Sequence, residues 1–290
     1  MREIAGDILY VDLSERRAWR EPVPHEDILK FLGGRGLNAH LLWKLTGPDA
    51  DPLGPESPLI FGTGLLSGTE APCSGRTTVT CRSPATGWYL KTSGGGRWGG
   101  ELKFAGIGYL VIRGKADHPV YLWIDDGRVE FRDARPIWGA DVRQTDLTIK
   151  KEVGDGDIQV AVIGPAGERL VKFAGIMFSV YNTAARGGPG AAMGAKNLKA
   201  VAVRGEQRVP VARPEVLAEL ARAFAREIRG MAGMPQALLR HGTCGFTGSL
   251  LAGGATPVKN WRLSGERSFP GAERITDPDA VIRYQKRKYA

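Results

Sequence analysis

The chain has 290 residues, of which 42% are hydrophobic, and a formal net charge of +9 from 40 basic and 31 acidic residues. This length and apolar content suffice for a substantial core, and we expect two domains. Because both signs of charge are well mixed, the surplus fits an anionic cofactor or an acidic redox partner, whereas no interleaved aromatic residues or recognisable module support nucleic-acid binding.

Residues 1–209 read as short strands separated by glycine-rich turns, which predicts a β-rich domain. The firmest prediction is a hairpin in which strands 120–124 and 129–132 flank Asp126 and Gly127, a pair that supplies the positive φ angles of a tight turn. Helices are predicted at residues 37–45 and 141–153. The other predicted strands are residues 8–13, 59–62, 76–82, 109–113, 159–163, 173–177 and 200–204.

The pattern changes after Pro210, where residues 214–229 carry apolar side chains at helical spacing with arginines between them. We therefore predict a helical domain over residues 210–290 and an α+β fold class for the whole chain. A further helix is predicted at residues 278–289, with Asp277 placed as its cap. The sequence ends there without a helix-stop signal, so this second domain is expected to be incomplete.

Three glycine-dense segments, residues 33–36, 94–100 and 186–190, each contain an arginine. Glycine lets the backbone approach a ligand closely, and arginine offers a rigid fork of donors to phosphate. Anion binding is one interpretation, and tight turns in a strand-rich domain are the other. Ordinary nucleotide motifs fit poorly, because Ala195 separates Gly194 from Lys196 where a phosphate-binding P-loop would have adjacent glycine and lysine.

Cysteine usage and hydropathy point to a reducing, aqueous compartment. Cys73, Cys81 and Cys244 lack the close pairing of a zinc or iron–sulfur site, and an odd, sparse count argues against a disulfide framework. No apolar run approaches a membrane span, and Asp7 and Asp12 interrupt the only early apolar stretch. We expect a soluble cytoplasmic protein that contacts neither membrane nor nucleic acid.

Many separate strings occur in an order that resembles the tungsten-containing aldehyde:ferredoxin oxidoreductase family. The resemblance covers the first two hundred residues or so almost without a gap and continues more thinly beyond them. The strings are Gly33-Gly34-Arg35-Gly36-Leu37, Ser67-Gly68-Thr69, Ala71-Pro72, Gly75-Arg76, Ser83-Pro84, Thr86-Gly87, Gly99-Gly100-Glu101-Leu102-Lys103-Phe104-Ala105-Gly106, Ile137-Trp138-Gly139, Ile163-Gly164-Pro165-Ala166-Gly167-Glu168, Val171-Lys172-Phe173-Ala174, Arg186-Gly187-Gly188, Met193-Gly194-Ala195-Lys196-Asn197-Leu198-Lys199-Ala200, Gly242-Thr243 and Pro257-Val258-Lys259-Asn260-Trp261.

The resemblance implies a β-rich domain of two sheets that forms a base under a tungsten, or molybdenum, bis-pterin cofactor. The implied activity is oxidation of an aldehyde to a carboxylic acid, with electrons passed through a four-iron (4Fe-4S) cluster to ferredoxin or another electron-transfer protein. The same domain also serves in the tungsten subunit of an aromatic acyl-CoA reductase. A non-catalytic pterin-binding or scaffold subunit that needs a second chain is a third interpretation.

The resemblance also assigns cofactor contacts. It places Arg76 between a pterin and the cluster, and it packs the main chain of Ser93, Gly94, Gly95 and Gly96 on the pterins. Asn182, Thr183, Arg186, Gly187 and Gly188 form the opposite loop. Main-chain oxygens of Ser93 and Thr183 are the implied contacts to a magnesium ion that bridges the pterin phosphates. We expect Arg76, Gly95 and Arg186 to surround one cavity.

Two departures from the family pattern bear on these contacts. Ser93-Gly94 stands where the family often has asparagine and serine, and Asn182-Thr183 where it often has arginine and alanine. The arginine missing at position 182 removes one phosphate contact, which Arg186 or Arg97 could replace.

The iron–sulfur ligands and the proton-handling groups of the family have no counterpart in this sequence. The family's Cys-x-x-Cys-x-x-x-Cys motif typically follows a basic helix similar to residues 284–290, so we expect no cluster ligand within the chain. The catalytic residues are unknown, and Glu101 and His40 are interpreted as structural, Glu101 as solvent-facing or capping. A homodimer or a separate cluster-carrying subunit would fit this arrangement.

Overall fold

The computed structural model describes residues 2–276 of the chain, so the helix predicted at 278–289 lies outside the described residues. The chain divides into two compact units, Met1–Ala218 and Glu219–Ala290. This division falls inside the helix Pro214–Gly230, whereas the boundary was predicted after residue 209, in the segment between that helix and the last sheet strand, which ends at Arg204. The boundary at residue 209 stays a prediction. No helix among residues 2–276 is long and apolar enough to cross a membrane.

The first unit contains two six-stranded sheets with matching topology. Their strands, numbered β1 to β12, are Asp7–Asp12, Arg17–Pro22, Leu59–Thr63, Thr77–Arg82, Tyr89–Gly94, Ile107–Arg113, Val120–Asp125, Arg128–Asp133, Gln159–Val162, Ile176–Phe178, Asn182–Ala184 and Leu198–Arg204. Sheet one has the strand order β2-β1-β6-β3-β4-β5 and sheet two the order β8-β7-β12-β9-β10-β11. In each sheet one pair is parallel, β1 with β6 and β7 with β12, and all other neighbours are antiparallel.

The core of this unit lies between the two sheets. Trp98 is fully buried there, its ring centroid lies 5.2 Å from that of Phe61 in sheet one and 5.4 Å from that of Phe178 in sheet two, and its indole N–H donates to the Val201 carbonyl at 3.0 Å. An apolar side chain with one polar group is well suited to such a position, because the single donor is satisfied. The inner faces of both sheets therefore share one core.

Helices cover the outer faces of the sheets. Sheet one packs its outer side on α2 (His25–Phe31) and α3 (Arg35–Leu45), and sheet two packs on α5 (Val142–Val153). Residues at both ends set the limits of helix α5. The Asp141 carboxylate accepts from the Gln144 amide at 2.8 Å and caps the start, and Gly154 ends the helix in the left-handed conformation. The helices of the unit are Arg2–Ala5, His25–Phe31, Arg35–Leu45, Trp98–Phe104, Val142–Val153, Pro165–Glu168 and Pro189–Ala195, numbered α1 to α7, with a 3-10 turn at Arg135–Ile137.

Beyond the sheets the described chain is predominantly helical. Its elements are α8 to α11 at Pro214–Gly230, Met234–His241, Thr247–Ala252 and Glu273–Thr276, 3-10 turns at Gly242–Phe246 and Glu266–Ser268, and one short hairpin of Pro257–Val258 with Leu263–Ser264, strands β13 and β14. A small core of Leu251, Val258 and Ala272 holds this second unit together. The predicted α+β fold class, with two sheets followed by helices, is confirmed.

One predicted strand was misplaced. Residues 173–177 were expected to be extended, but the strand is Ile176–Phe178. The preceding residues form a turn in which the Ala174 amide donates to the Val171 carbonyl at 2.8 Å, and the Phe173 side chain is 77% exposed. The Phe173 side chain therefore faces solvent, whereas Ile176, in the strand itself, is buried in the core between the sheets.

Candidate functional site

The first glycine loop leaves the edge strand of sheet one. Strand β5 pairs with β4 so that Ser93 lies opposite Thr78 and Gly94 opposite Thr77. The Ser93 and Thr78 hydroxyls lie 3.4 Å apart. Beyond Gly94 the chain leaves the ladder, and α4 begins at Trp98, so the glycines fill the short connection between the edge strand and a buried helix.

This loop contacts the edge strand of sheet two. A Cβ atom at position 95 would lie 3.0 Å from Asn182 Oδ1, and one at position 96 would lie 2.8 Å from Asn182 Nδ2. A Cβ at position 94 would lie 2.4 Å from the Phe178 ring and 3.4 Å from the Thr183 carbonyl carbon. The structure therefore brings together Ser93 to Gly96 with Asn182 and Thr183, two segments that are far apart in sequence.

Arg76 lies at the edge of the same group. It precedes β4, is exposed, and follows Gly75, where a Cβ would lie 3.4 Å from the Gly96 carbonyl oxygen. Arg97, also exposed, continues the first glycine loop. Two guanidinium-bearing residues thus flank the glycine backbone in sequence.

The second glycine loop lies beside the other end of β5. The Ser83 hydroxyl donates to the Gly187 carbonyl at 2.7 Å, and a Cβ at position 187 would lie 2.1 Å from Leu90 Cδ1. Because Leu90 and Gly94 are four residues apart on one strand, Arg186 to Gly188 are separated from the first loop by about 13 Å along β5. The cavity predicted around Arg76, Gly95 and Arg186 together stays a prediction.

The glycines serve both interpretations made from the sequence. Gly94, Gly187 and Gly188 are required by the fold itself: the last two have φ of +87° and +86°, and a Cβ at 188 would lie 2.1 Å from the Lys172 carbonyl oxygen. Gly95 and Gly96, by contrast, meet only the Asn182 side chain and keep part of their surface exposed. Accessible backbone between exposed arginines fits the phosphates of an anionic cofactor.

The residues set aside from catalysis have structural contacts. Glu101 is not solvent-facing: it is buried, and its carboxylate accepts from the Gly205 amide at 3.2 Å and lies 3.3 Å from Arg204 Nη1. The carboxylate thereby ties α4 to the end of β12. His40 stacks on Phe31 and lies 3.3 Å from the Asp27 carboxylate.

Sequence reasoning missed a buried ion pair between two of the quoted strings. The Lys199 ammonium contacts the Glu168 carboxylate, which also accepts from the Gly139 amide at 2.9 Å. Lys199 is fully buried and donates as well to the Ala140 carbonyl at 2.9 Å. The sequence did carry a signal for this pair: Lys199 is a charged residue among apolar and β-branched neighbours in its strand, and a buried charge needs a partner. Within residues 2–276 no group of three or more His, Cys, Asp or Glu side chains could hold a metal ion.

The family model described as the N-terminal domain of aldehyde ferredoxin oxidoreductase matches residues 8–205. The chain belongs to the aldehyde ferredoxin oxidoreductase family. Relatives named tungsten-containing aldehyde ferredoxin oxidoreductase, from Pyrococcus furiosus and Pyrococcus horikoshii, are 44% and 43% identical over 257 residues, which is 89% of this chain and 42% of each relative. The chain thus spans about two fifths of the length of these curated relatives.

Other members of this oxidoreductase family bear different names. The WOR-like subunit of an aliphatic sulfonate oxidoreductase from Pyrococcus furiosus is 37% identical over 78% of this chain and 38% of that protein. Among solved structures, the active site complex BamBC of benzoyl coenzyme A reductase, bound to 1,5-dienoyl-CoA, matches with a TM-score of 0.84 and 34% identity over 99% of this chain and 45% of that one. The family resemblance is confirmed, and one fold serves several named activities.

Proposed function

We propose that residues 1–209 form the pterin-binding domain of a tungsten-containing aldehyde oxidoreductase and that residues 210–290 begin its helical domain. The observation that carries the proposal is the contact of Gly94, Gly95 and Gly96, which directly follow Ser93, with Asn182 and Thr183. The resemblance assigned these two segments to one cofactor, and in the structure the first glycine loop lies against the edge strand β11 of the other sheet. The family membership supports the same proposal.

The chain's own residues would hold the cofactor through its phosphates. Partly exposed main chain at Gly95 and Gly96 offers amides and carbonyls beside the Asn182 side chain, and Arg97 and Arg186 are exposed guanidinium donors. Arg76, also exposed, is proposed to lie between a pterin and the cluster. Main-chain oxygens of Ser93 and Thr183 are the proposed contacts to a bridging magnesium ion. When bound, the tungsten or molybdenum bis-pterin supplies the two-electron oxidation chemistry, and the protein supplies binding and orientation.

The complete protein is proposed to oxidise an aldehyde in the cytoplasm and to pass electrons through a four-iron cluster to ferredoxin. The cluster ligands would come from polypeptide outside this sequence or from a separate subunit that carries the cluster. Assembly as a homodimer is compatible with the first of these sources. The 43–44% identity to aldehyde ferredoxin oxidoreductases over most of the chain favours this substrate class over the alternatives.

A second candidate is the tungsten subunit of an aromatic acyl-CoA reductase. The structural match to the benzoyl coenzyme A reductase complex favours it, although the identity is lower, at 34%. A pterin-binding scaffold that works only with a separate chain is the third possibility. Assays of the holoenzyme with an aldehyde and an oxidised acceptor, and with an aromatic acyl-CoA and a reduced donor, separate the first two.

Cofactor content tests the proposal directly. The full chain would be produced in cells supplied with tungstate or molybdate, and metal and pterin would be measured by mass spectrometry and by fluorescence of the oxidised pterin. We expect about two pterins per metal in the wild type and a large loss in Gly95→Val, because a branched side chain blocks the backbone surface. Gly156→Val is the matched control, since a Cβ at position 156 has no neighbour within 4 Å. Full metal and pterin content in Gly95→Val would exclude the proposed loop.

A further inference from the structure

Three lysines of the first unit are buried: Lys103, Lys196 and Lys199. An ammonium group removed from water is costly unless a carboxylate or several acceptors compensate its charge. The three sites differ in this compensation, and that difference points to a ligand at one of them.

Two of the three are compensated by the protein. Lys199 pairs with the Glu168 carboxylate and also donates to a carbonyl. The Lys196 ammonium donates to the carbonyls of Gly54, Pro55 and Gly114 at 3.4, 3.1 and 3.3 Å. An ammonium group has three N–H donors, so Lys196 has one acceptor for each.

Lys103 lacks comparable compensation. Its side chain, near the carboxyl end of α4, is only 5% exposed, and its ammonium donates to the Ile4 carbonyl. In the part of the chain from residue 2 to residue 276, no carboxylate forms an ion pair with it. Burial lowers the pKa of Lys103 to about 8, and it lowers the pKa of Lys196 to about 8 as well, so the contacts of the two ammonium groups, and not their pKa values, distinguish the sites.

Lys103 lines a cavity of about 540 Å³ that carries two more cationic side chains, Arg20 and Arg208. Asp7 is the carboxylate-bearing residue among those that line it, and its Oδ2 lies 3.4 Å from Arg20 Nε. Arg20 also donates to the Gly106 carbonyl at 2.9 Å, which fixes its guanidinium at the wall, whereas Arg208 is exposed. Three cations and one carboxylate leave this cavity with a positive surplus.

We propose that this cavity binds a small oxyanion, a phosphate or carboxylate group, through the Lys103 ammonium and the Arg208 guanidinium. Such a ligand supplies the counter-charge that Lys103 lacks, and the arginine fork matches the geometry of a phosphate or carboxylate. The site is distinct from the first glycine loop, because the two lie at opposite ends of helix α4: Arg97 directly precedes its start and Lys103 lies near its end. Helix α4 is about 10 Å long.

Calorimetric titration of the purified full chain with inorganic phosphate, compared with chloride at matched ionic strength, tests the site. We expect saturable phosphate binding that weakens about tenfold in Lys103→Met and in Arg208→Ala, the loss of one charge-assisted hydrogen bond each. Lys151→Met and Arg143→Ala, which change exposed cations on α5, are the matched controls and keep wild-type affinity.

Chemical labelling gives a readout that does not depend on how well a variant folds. Phosphate is expected to slow acetylation of Lys103 in the wild type, measured by peptide mass spectrometry, and to leave Lys151 unaffected. Equal protection by chloride, or wild-type phosphate affinity in folded Arg208→Ala and Lys103→Met, would overturn the proposal.

Discussion

The two sheets of the first unit repeat one topology, yet their glycine loops are held differently. In each sheet the fifth strand, β5 or β11, is followed by a glycine loop and then by a seven-residue helix, α4 or α7. The next strand, β6 or β12, belongs to the parallel pair, and it ends at an arginine that a glycine follows. Gly95 and Gly96 of the first loop meet only one side chain. Gly187 and Gly188 of the second are packed against Leu90 and a carbonyl oxygen.

This difference shows that a glycine-rich string has no single meaning, even within one domain. Where another part of the protein occupies the place of a Cβ atom, glycine is needed for folding. Where the backbone stays accessible, glycine leaves room for a ligand. The comparison separates the two roles by position, so substitutions can test it.

The largest effect is expected from Gly188→Ala. Its φ is +86° and a Cβ would lie 2.1 Å from the Lys172 carbonyl oxygen, so both backbone strain and a backbone clash oppose the change. We expect a loss of about 3 kcal/mol in the free energy of unfolding, measured by chemical denaturation. The control Gly87→Ala also has positive φ, +76°, but no neighbour within 4 Å, and should lose only about 1 kcal/mol. Equal losses would refute the packing role of Gly188.

An intermediate effect is expected from removing arginines, and it should fall on the cofactor rather than on stability. Arg186→Ala should lower pterin affinity about tenfold through one lost charge-assisted phosphate contact. Arg76→Ala should leave most of the cofactor bound and slow electron transfer to the cluster in the holoenzyme. Cofactor content and single-turnover acceptor reduction measure the two outcomes. Loss of pterin from Arg76→Ala, with an unchanged rate of electron transfer per bound cofactor, would reverse the assignment.

The smallest effect is expected from Asn182→Arg, which introduces an arginine where the family often has one. The Asn182 side chain lies against Gly95 and Gly96, so a longer cationic side chain starts beside the proposed phosphate site. We expect a modest, severalfold slower loss of pterin on dialysis. Asn182→Gln adds length without charge and should leave the rate unchanged; the same gain in both variants would exclude an electrostatic cause.

Several strands were missed because their side chains carry little apolar alternation. Strand β2, Arg17–Pro22, is polar and largely exposed at a sheet edge, and β11, Asn182–Ala184, has only three residues. Such strands form because a neighbouring strand offers free backbone groups, and this information is not local. By contrast the hairpin of β7 and β8 was predicted from its Asp126-Gly127 turn and its β-branched flanks, both local features.

The repeat of the two sheets also escaped sequence reasoning. A weak signal was present: Arg113-Gly114 and Arg204-Gly205 end corresponding strands, and a glycine-rich string lies upstream of each. Strand order, however, is set by backbone pairing, and different side chains are compatible with the same pairing. The two sheets can therefore share a strand order without sharing a recognisable sequence repeat.

The sequence by itself determined the fold class and the family, and it singled out the two loops proposed to hold the cofactor. These follow from local periodicity, turn chemistry and motif order, which survive without coordinates. Only the tertiary structure decided that Ser93 to Gly96 lie on Asn182, that Glu101 is buried, and which buried lysine lacks a counter-charge. Contact, burial and charge compensation depend on residues distant in the chain, because they arise when the sheets and helices pack together.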